Sequence, residues 1–213
     1  MLEQEIIHWV ESKLKTKVTV TKEKYGDQSN VFRCCTPSKN YFLKLGIGLE
    51  KERKRLEWLN GTLLVPTVVG FTKIDDKDVL LLSAIEGKNL VVLSKEWSAK
   101  KVVGKLVEAL HLFHAIDAKN CLFGNFETGQ VLVHGDACLP NFIFQGDHFS
   151  GYIDVGDLTV AHPEVDFSAA IWSLQYNLGV GYGKMFLEKY GVENVTDELV
   201  EKLRLKHEDV QKE

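Results

Sequence analysis

The hydrophobic pattern changes its period near Gly87, and that switch limits the folds open to the chain. Upstream, apolar residues come in short runs between turn residues. Val18 and Val20 alternate with polar neighbours, and Val31-Phe32-Arg33-Cys34-Cys35 and Tyr41-Phe42-Leu43-Lys44-Leu45 are strand-like runs separated by a Pro37-containing turn. The runs 67–74 and 79–85 flank Asp75-Asp76-Lys77-Asp78 as in a hairpin. Two helical stretches interrupt them. Ile6, Val10 and Leu14 are in step over 2–14, and Leu49, Leu56 and Leu59 lie near one face of the charged segment 49–59. Downstream of Gly87, Val102, Val103, Leu106, Leu110 and Phe113 recur at helical intervals over 99–115, behind Ser98 as N-cap. Residues 164–177, 183–190 and the end from Asp197 also read as helices, with short apolar runs at 131–133, 142–144 and 152–155. The expected fold class is α+β, with a β-rich lobe over 1–86 and a mostly helical lobe over 87–213.

A 213-residue chain that is 45% hydrophobic has apolar surface enough for a real core. Its net charge of −4, with no clustered basic surface in view, argues against nucleic acid as a partner. Cys34, Cys35, Cys121 and Cys138 have no metal-ligand spacing, and adjacent Cys34 and Cys35 point to opposite faces of a strand, too divergent to bridge. Four unpatterned cysteines fit a reducing cytoplasm. Glu3 and Glu5 near the start, with no long apolar run after them, give no sign of a signal peptide or membrane anchor.

The chemistry is concentrated in His134-Gly135-Asp136-Ala137-Cys138-Leu139-Pro140-Asn141 and Ile153-Asp154-Val155-Gly156-Asp157. If 142–145 and 150–153 pair as a hairpin, its open ends lie side by side, with Asn141 at one and Asp154 at the other. A carboxylate and an amide oxygen then converge, with Asp136 five residues upstream of Asn141. Hard oxygen donors that leave room for water and phosphate suit magnesium. Each residue alone would read as an ordinary turn former. The set, with Gly135 beside Asp136 and Gly156 close after Asp154, reads as a site.

The first segment closely resembles the catalytic loop of the aminoglycoside phosphotransferases, particularly the 3′-phosphotransferase branch, and the second resembles that family's metal-binding turn. The resemblance implies the two-lobed protein-kinase-like fold and ATP and Mg2+ as cofactors. Asp136 would then be the catalytic residue that receives the acceptor hydroxyl's proton or orients it, and Asn141 and Asp154 the magnesium ligands. It implies that Lys44 pairs the α- and β-phosphates and is held by Glu52 on the next helix, with Glu50 and Glu57 as competitors for that place. Gly26-Asp27-Gln28-Ser29-Asn30 falls where the family covers the phosphates, so Ser29 and Asn30 are expected nucleotide contacts. Leu82-Ser83-Ala84-Ile85-Glu86-Gly87 resembles the link between lobes, so Ser83 and Ile85 are expected near adenine. Asp166 matches the aspartate that braces the catalytic loop, although a helix first turn alone would favour a carboxylate there.

Other features carry less. Gly179-Val180-Gly181-Tyr182-Gly183-Lys184 lacks the spacing of a Walker loop and reads as an interhelical loop. His111 and His114, three apart on a helix, have no third metal ligand in view. Cys138 has no base of its own beside it and is not expected to be a nucleophile. The chain also departs from the family. The helical insert that usually precedes the catalytic loop is missing between 125 and 131, the terminal aromatic is absent, and Asp157 stands where the 3′-enzymes often have arginine. The expected partners are ATP and a small polar, cationic substrate, an aminoglycoside first. A kinase for another hydroxylated metabolite or drug, and a nucleotide-binding module with little transfer activity, remain open.

Overall fold

Alternation of apolar and polar side chains builds the first unit around one twisted sheet. The computed structural model describes residues 2–23, 30–124, 127 and 129–210. It divides into two compact units, Met1–Ile85 and Glu86–Glu213. In the first, β1 (Thr19–Lys22), β2 (Asn30–Cys35), β3 (Asn40–Gly46), β4 (Val68–Ile74) and β5 (Lys77–Ser83) form an antiparallel sheet in the order β1-β2-β3-β5-β4. One face carries Cys34, Leu43, Leu45, Val79 and Leu81, which share a core with Ile6 and Val10 of α1 (Gln4–Leu14). Lys44 lies between Leu43 and Leu45, so strand alternation sends it to the opposite face. There α2 (Leu49–Leu59) packs and buries Leu49, Glu52, Leu56 and Leu59.

The β4–β5 turn is tighter than the four-residue segment expected. Lys77 already pairs with Ile74, leaving Asp75 and Asp76 as a two-residue loop with φ of 46° and 62°. Two consecutive left-handed residues match the twist of the flanking strands, and aspartate tolerates that conformation better than most side chains.

In the second unit, α4 (Ala99–His114) follows the expected apolar stripe and is capped by Ser98, whose hydroxyl accepts from Lys101 N–H. Helices α5 (Glu164–Leu178), α6 (Tyr182–Tyr190) and α7 (Asp197–Val210) pack together: α5 contacts both α6 and α7, and α6 also contacts α4. A short α3 (Leu90–Leu93) precedes α4. Five short strands complete the unit: β6 (Lys88–Asn89), β7 (Val131–Val133), β8 (Phe142–Gln145), β9 (His148–Tyr152) and β10 (Thr159–Ala161). They form the antiparallel sets β6-β8-β9 and β7-β10. The second strand of the β8–β9 hairpin starts earlier than the apolar run 152–155 suggests. A tight Gly146-Asp147 turn places His148 directly opposite Gln145, and the ladder ends at Tyr152. Asp154 therefore lies beyond the strand, in the segment that follows it, with φ of 59°.

The α+β, two-lobed class expected from the sequence is the one observed. Between α4 and β7 the described residues hold only a short 3-10 turn, Ala118–Asn120. All four cysteines are free thiols. Among the described residues, no helix is long and apolar enough to cross a membrane.

Candidate functional site

A buried aspartate organises the segment around Asp136. Asp166 sits in the first turn of α5 with no exposed surface. Its Oδ2 accepts from the main-chain N–H of His134 (2.8 Å), and Oδ1 accepts from that of Gly135 (2.9 Å). Its Oδ2 also lies 2.9 Å from His114 Nε2 on α4, while His114 Nδ1 lies 2.7 Å from the Tyr190 hydroxyl on α6. The carboxylate can only accept, so Nε2 is the donor, and neutral imidazole then receives the Tyr190 proton at Nδ1. One side chain thus ties the end of β7 to three helices. Burial pushes the Tyr190 hydroxyl above its ordinary range, with the Asp166 charge adding to the effect.

The loop after β7 is fixed next. Gly135 has φ of 88°, and a Cβ there would lie 2.4 Å from the Asp157 carbonyl oxygen, so only glycine fits. His134 is buried and bridges the loop to the hairpin. Its Nε2 lies 3.0 Å from the Ile153 carbonyl, and its Nδ1 lies 3.3 Å from Asp136 N–H. A carbonyl accepts and an amide donates, which fixes the proton on Nε2. Further along, Leu139 N–H donates to the Ser173 hydroxyl on α5 (2.9 Å), and the turn Leu139–Asn141 closes with Asn141 N–H on the Cys138 carbonyl.

This frame joins Asp136 to Asn141 and brings the main chain just before Asp154 against Asn141. Asn141 Nδ2 donates to both the main-chain oxygen (2.9 Å) and Oδ2 (2.8 Å) of Asp136. With its nitrogen held by two oxygens, the planar amide turns its own oxygen away from Asp136. Ile153 N–H donates to the Asn141 carbonyl (3.0 Å), which sets Asp154 one residue beyond Asn141's neighbour. Asp154 is exposed, and a left-handed backbone at a non-glycine residue is an uncommon conformation that recurs at functional sites. An amide oxygen and an exposed carboxylate are hard donors that suit Mg2+. The other Asp136 oxygen, Oδ1, is buried and has no hydrogen-bond partner among the described residues. A buried carboxylate oxygen left without a donor is costly unless a ligand supplies one.

In the first unit Lys44 Nζ lies 2.7 and 2.8 Å from the two Glu52 oxygens, and both side chains are largely buried. Glu50 and Glu57 face outward and pair with Arg53 and Lys54 instead, so geometry selects Glu52 among the three. Asn30 opens β2 opposite Leu45, next to the Val31–Lys44 pair. Ser83 closes β5; its hydroxyl accepts from Thr67 N–H and its own N–H donates to the Thr67 carbonyl, so it is committed to the segment leading into β4. Ile85 is the last residue of this unit. Ser29 lies outside the described residues.

Sequence reasoning missed three contributors. Ser173 and His114 support the loop from helices remote in sequence, and nothing in their local pattern separates them from ordinary helix residues. His207, on α7, has a ligand atom within 4.8 Å of those of Asp136 and Cys138. Cys138 itself is buried, and that burial, with the nearby Asp136 charge, raises its thiol pKa far above the usual range, as expected of an inert thiol.

Residues 127–203 match the family described as "Phosphotransferase enzyme family". A protein of Niallia circulans named "Aminoglycoside 3'-phosphotransferase" is 27% identical over 196 residues, spanning 71% of this chain and 75% of its own. One of the same name from Escherichia coli is 26% identical over 204 residues, spanning 72% and 75%. Among solved structures, an aminoglycoside-3'-phosphotransferase of type VIII superposes with a TM-score of 0.74 over 95% of this chain and 98% of its own, at 18% identity. An aminoglycoside phosphotransferase of Streptomyces rimosus, solved with ADP and streptomycin, does so with a TM-score of 0.68 over 86% and 89%, at 19% identity.

Proposed function

We propose that this chain, whose residues 127–203 match the phosphotransferase enzyme family, transfers the γ-phosphate of ATP to a hydroxyl of a small polar substrate, an aminoglycoside first. The single observation that carries this reading is the state of Asp136. One carboxylate oxygen is held by Asn141, and the other is buried with no donor supplied by the described residues. A substrate hydroxyl is the donor that would complete it. The acceptor oxygen attacks the γ-phosphorus, the bond to the β,γ-bridging oxygen breaks, ADP leaves, and the hydroxyl proton passes to Asp136. Transfer of this kind depends mainly on alignment and charge neutralisation, which is what a rigidly braced loop provides.

Asn141 and Asp154 would hold Mg2+, which would offset the negative charge of the phosphates. Lys44, oriented by Glu52, would bind the phosphates from the first unit; an ammonium already paired with a buried carboxylate stays charged and in place. Ser29, Asn30, Ser83 and Ile85 complete the proposed nucleotide contacts, Ser83 and Ile85 through main-chain groups. The relatives named for aminoglycosides support that acceptor, and a cationic amino sugar suits a chain of net charge −4. The short link between α4 and β7 favours a second acceptor class, a smaller hydroxylated metabolite that needs less wall around it. Free thiols and the need for ATP support a cytoplasmic location.

The test is ADP release against a panel of kanamycin-like aminoglycosides, macrolides and small hydroxylated amines. Asp136→Asn should lower kcat by about 10²–10⁴-fold, the usual worth of a positioned proton acceptor, with ATP affinity nearly unchanged. Lys44→Ala should instead weaken ATP binding. ATP-dependent thermal stabilisation without acceptor-stimulated turnover across the panel would leave a nucleotide-binding module and end the kinase reading.

A further inference from the structure

We propose that Asp136, Cys138 and His207 form a zinc site that switches the enzyme off. The three come from two elements remote in sequence, the loop after β7 and α7, yet one ligand atom from each lies within 4.8 Å of the other two. They are a carboxylate oxygen, a thiol sulfur and an imidazole nitrogen. Zn2+ binds such a mixture at about 2.0–2.2 Å for oxygen and nitrogen and about 2.3 Å for sulfur, and often keeps water in its fourth position. Tetrahedral geometry at those lengths separates the donors by roughly 3.3–3.6 Å, so a pair at the 4.8 Å limit needs to close by about 1.2–1.5 Å.

The surroundings favour a fixed site over a chance approach of surface groups. Cys138 and His207 are 6% and 8% exposed, and Asp136 carries the buried, unpartnered Oδ1. The His207 ring packs against Trp172 of α5 at 5.3 Å between centroids, which restricts its rotation. Cys138 Sγ lies 3.7 Å from the Ala169 carbonyl and holds its proton there. When the Sγ–Zn bond forms, that proton leaves to solvent and the weak contact to Ala169 is given up. Thiolate and imidazole select a soft or borderline cation, whereas the hard donors Asn141 and Asp154 suit Mg2+, so the two ions do not compete for one set of ligands.

Metal binding at these three residues stands independently of the proposed activity. Its inhibitory consequence rests on Asp136 receiving the acceptor proton: a carboxylate bound to zinc cannot take that proton. Zinc should therefore stop phosphoryl transfer without displacing ATP.

Two measurements on the full chain, stripped of metal and kept in a non-thiol reductant, separate these points. Co2+ is the spectroscopic probe. One equivalent should produce a sulfur-to-cobalt charge-transfer band in the near ultraviolet and intense visible bands of a tetrahedral site. Cys138→Ala should abolish the charge-transfer band, and His207→Ala and His207→Gln should each weaken binding at least tenfold, with circular dichroism confirming that all three fold. In the second, ADP release at fixed Mg-ATP should fall about a hundredfold or more with one equivalent of Zn2+. That response, referred to each variant's own metal-free rate, should be blunted in the Cys138 and His207 variants. Absence of the cobalt bands, or their persistence in the folded variants, overturns the site. Zinc inhibition that extra Mg-ATP reverses equally in wild type and variants overturns the switch. A wild type with the cobalt bands but no acceptor-stimulated turnover keeps the site and removes the kinase reading alone.

Discussion

Asp166 accepts hydrogen bonds from His134 N–H, Gly135 N–H and the His114 ring, from full burial. Asp166→Asn keeps the shape but converts one acceptor into an amide that faces a donor. Leaving a buried donor unmet costs about 1–3 kcal/mol, more where a charge is involved. We expect Asp166→Asn to lower stability by about 2–4 kcal/mol in urea unfolding and to reduce kcat, because the loop carrying Asp136 loses its brace while Lys44 and Glu52 are untouched. At this scale the sequence was readable where chemistry and spacing coincide, as at Asp136, Asn141 and Asp154. It was silent where the partner comes from another helix. His114 reads as a helix histidine like any other until Asp166 and Tyr190 flank it, and nothing in the Lys206-His207-Glu208 stretch points back to Asp136.

At the level of elements, strong periods gave reliable helices and strands, because α1, α2, α4 and the main sheet each bury one continuous face. The pieces that escaped notice, β6, α3 and β10, span two to four residues and take their form from neighbours instead of their own pattern. Turn geometry was only half legible. Asp75-Asp76-Lys77-Asp78 announces a turn, but only the pairing of Lys77 with Ile74 shows that two residues carry it. Both aspartates occupy the left-handed region, which costs a side chain energy that glycine does not spend. Asp76→Gly should therefore stabilise the first unit by about 0.5–1 kcal/mol, read as a higher urea midpoint with an unchanged slope. A lower midpoint would mean that the Asp76 carboxylate makes a compensating local bond.

For the molecule as a whole, four groups in the two units respond to alkali in the same direction. Burial, with Cys35 adding to it, pushes the Cys34 thiol up to about 11 in the first unit. In the second, burial raises Tyr152, and burial with a neighbouring carboxylate raises Cys138 and Tyr190. Each is held in its neutral form when folded, while the unfolded chain ionises near the ordinary values, about 8.5 for a thiol and about 10 for a phenol. A raised folded pKa means that the unfolded state gives up protons first, so the stabilisation is complete below the unfolded value and is lost as pH rises through the folded one. Stability should thus be nearly flat with respect to these groups from pH 7 to 8 and should fall progressively above it. Cys34 acts earliest, between the ordinary thiol range and about 11. The measurement is the urea midpoint as a function of pH for wild type and Cys34→Ala. Truncating a core thiol lowers stability at every pH by a constant amount, so the informative quantity is the slope. Between pH 9 and 11 the variant should lose stability less steeply than wild type. Equal slopes would mean that Cys34 reaches solvent in the folded state and that the alkaline loss belongs to the second unit alone.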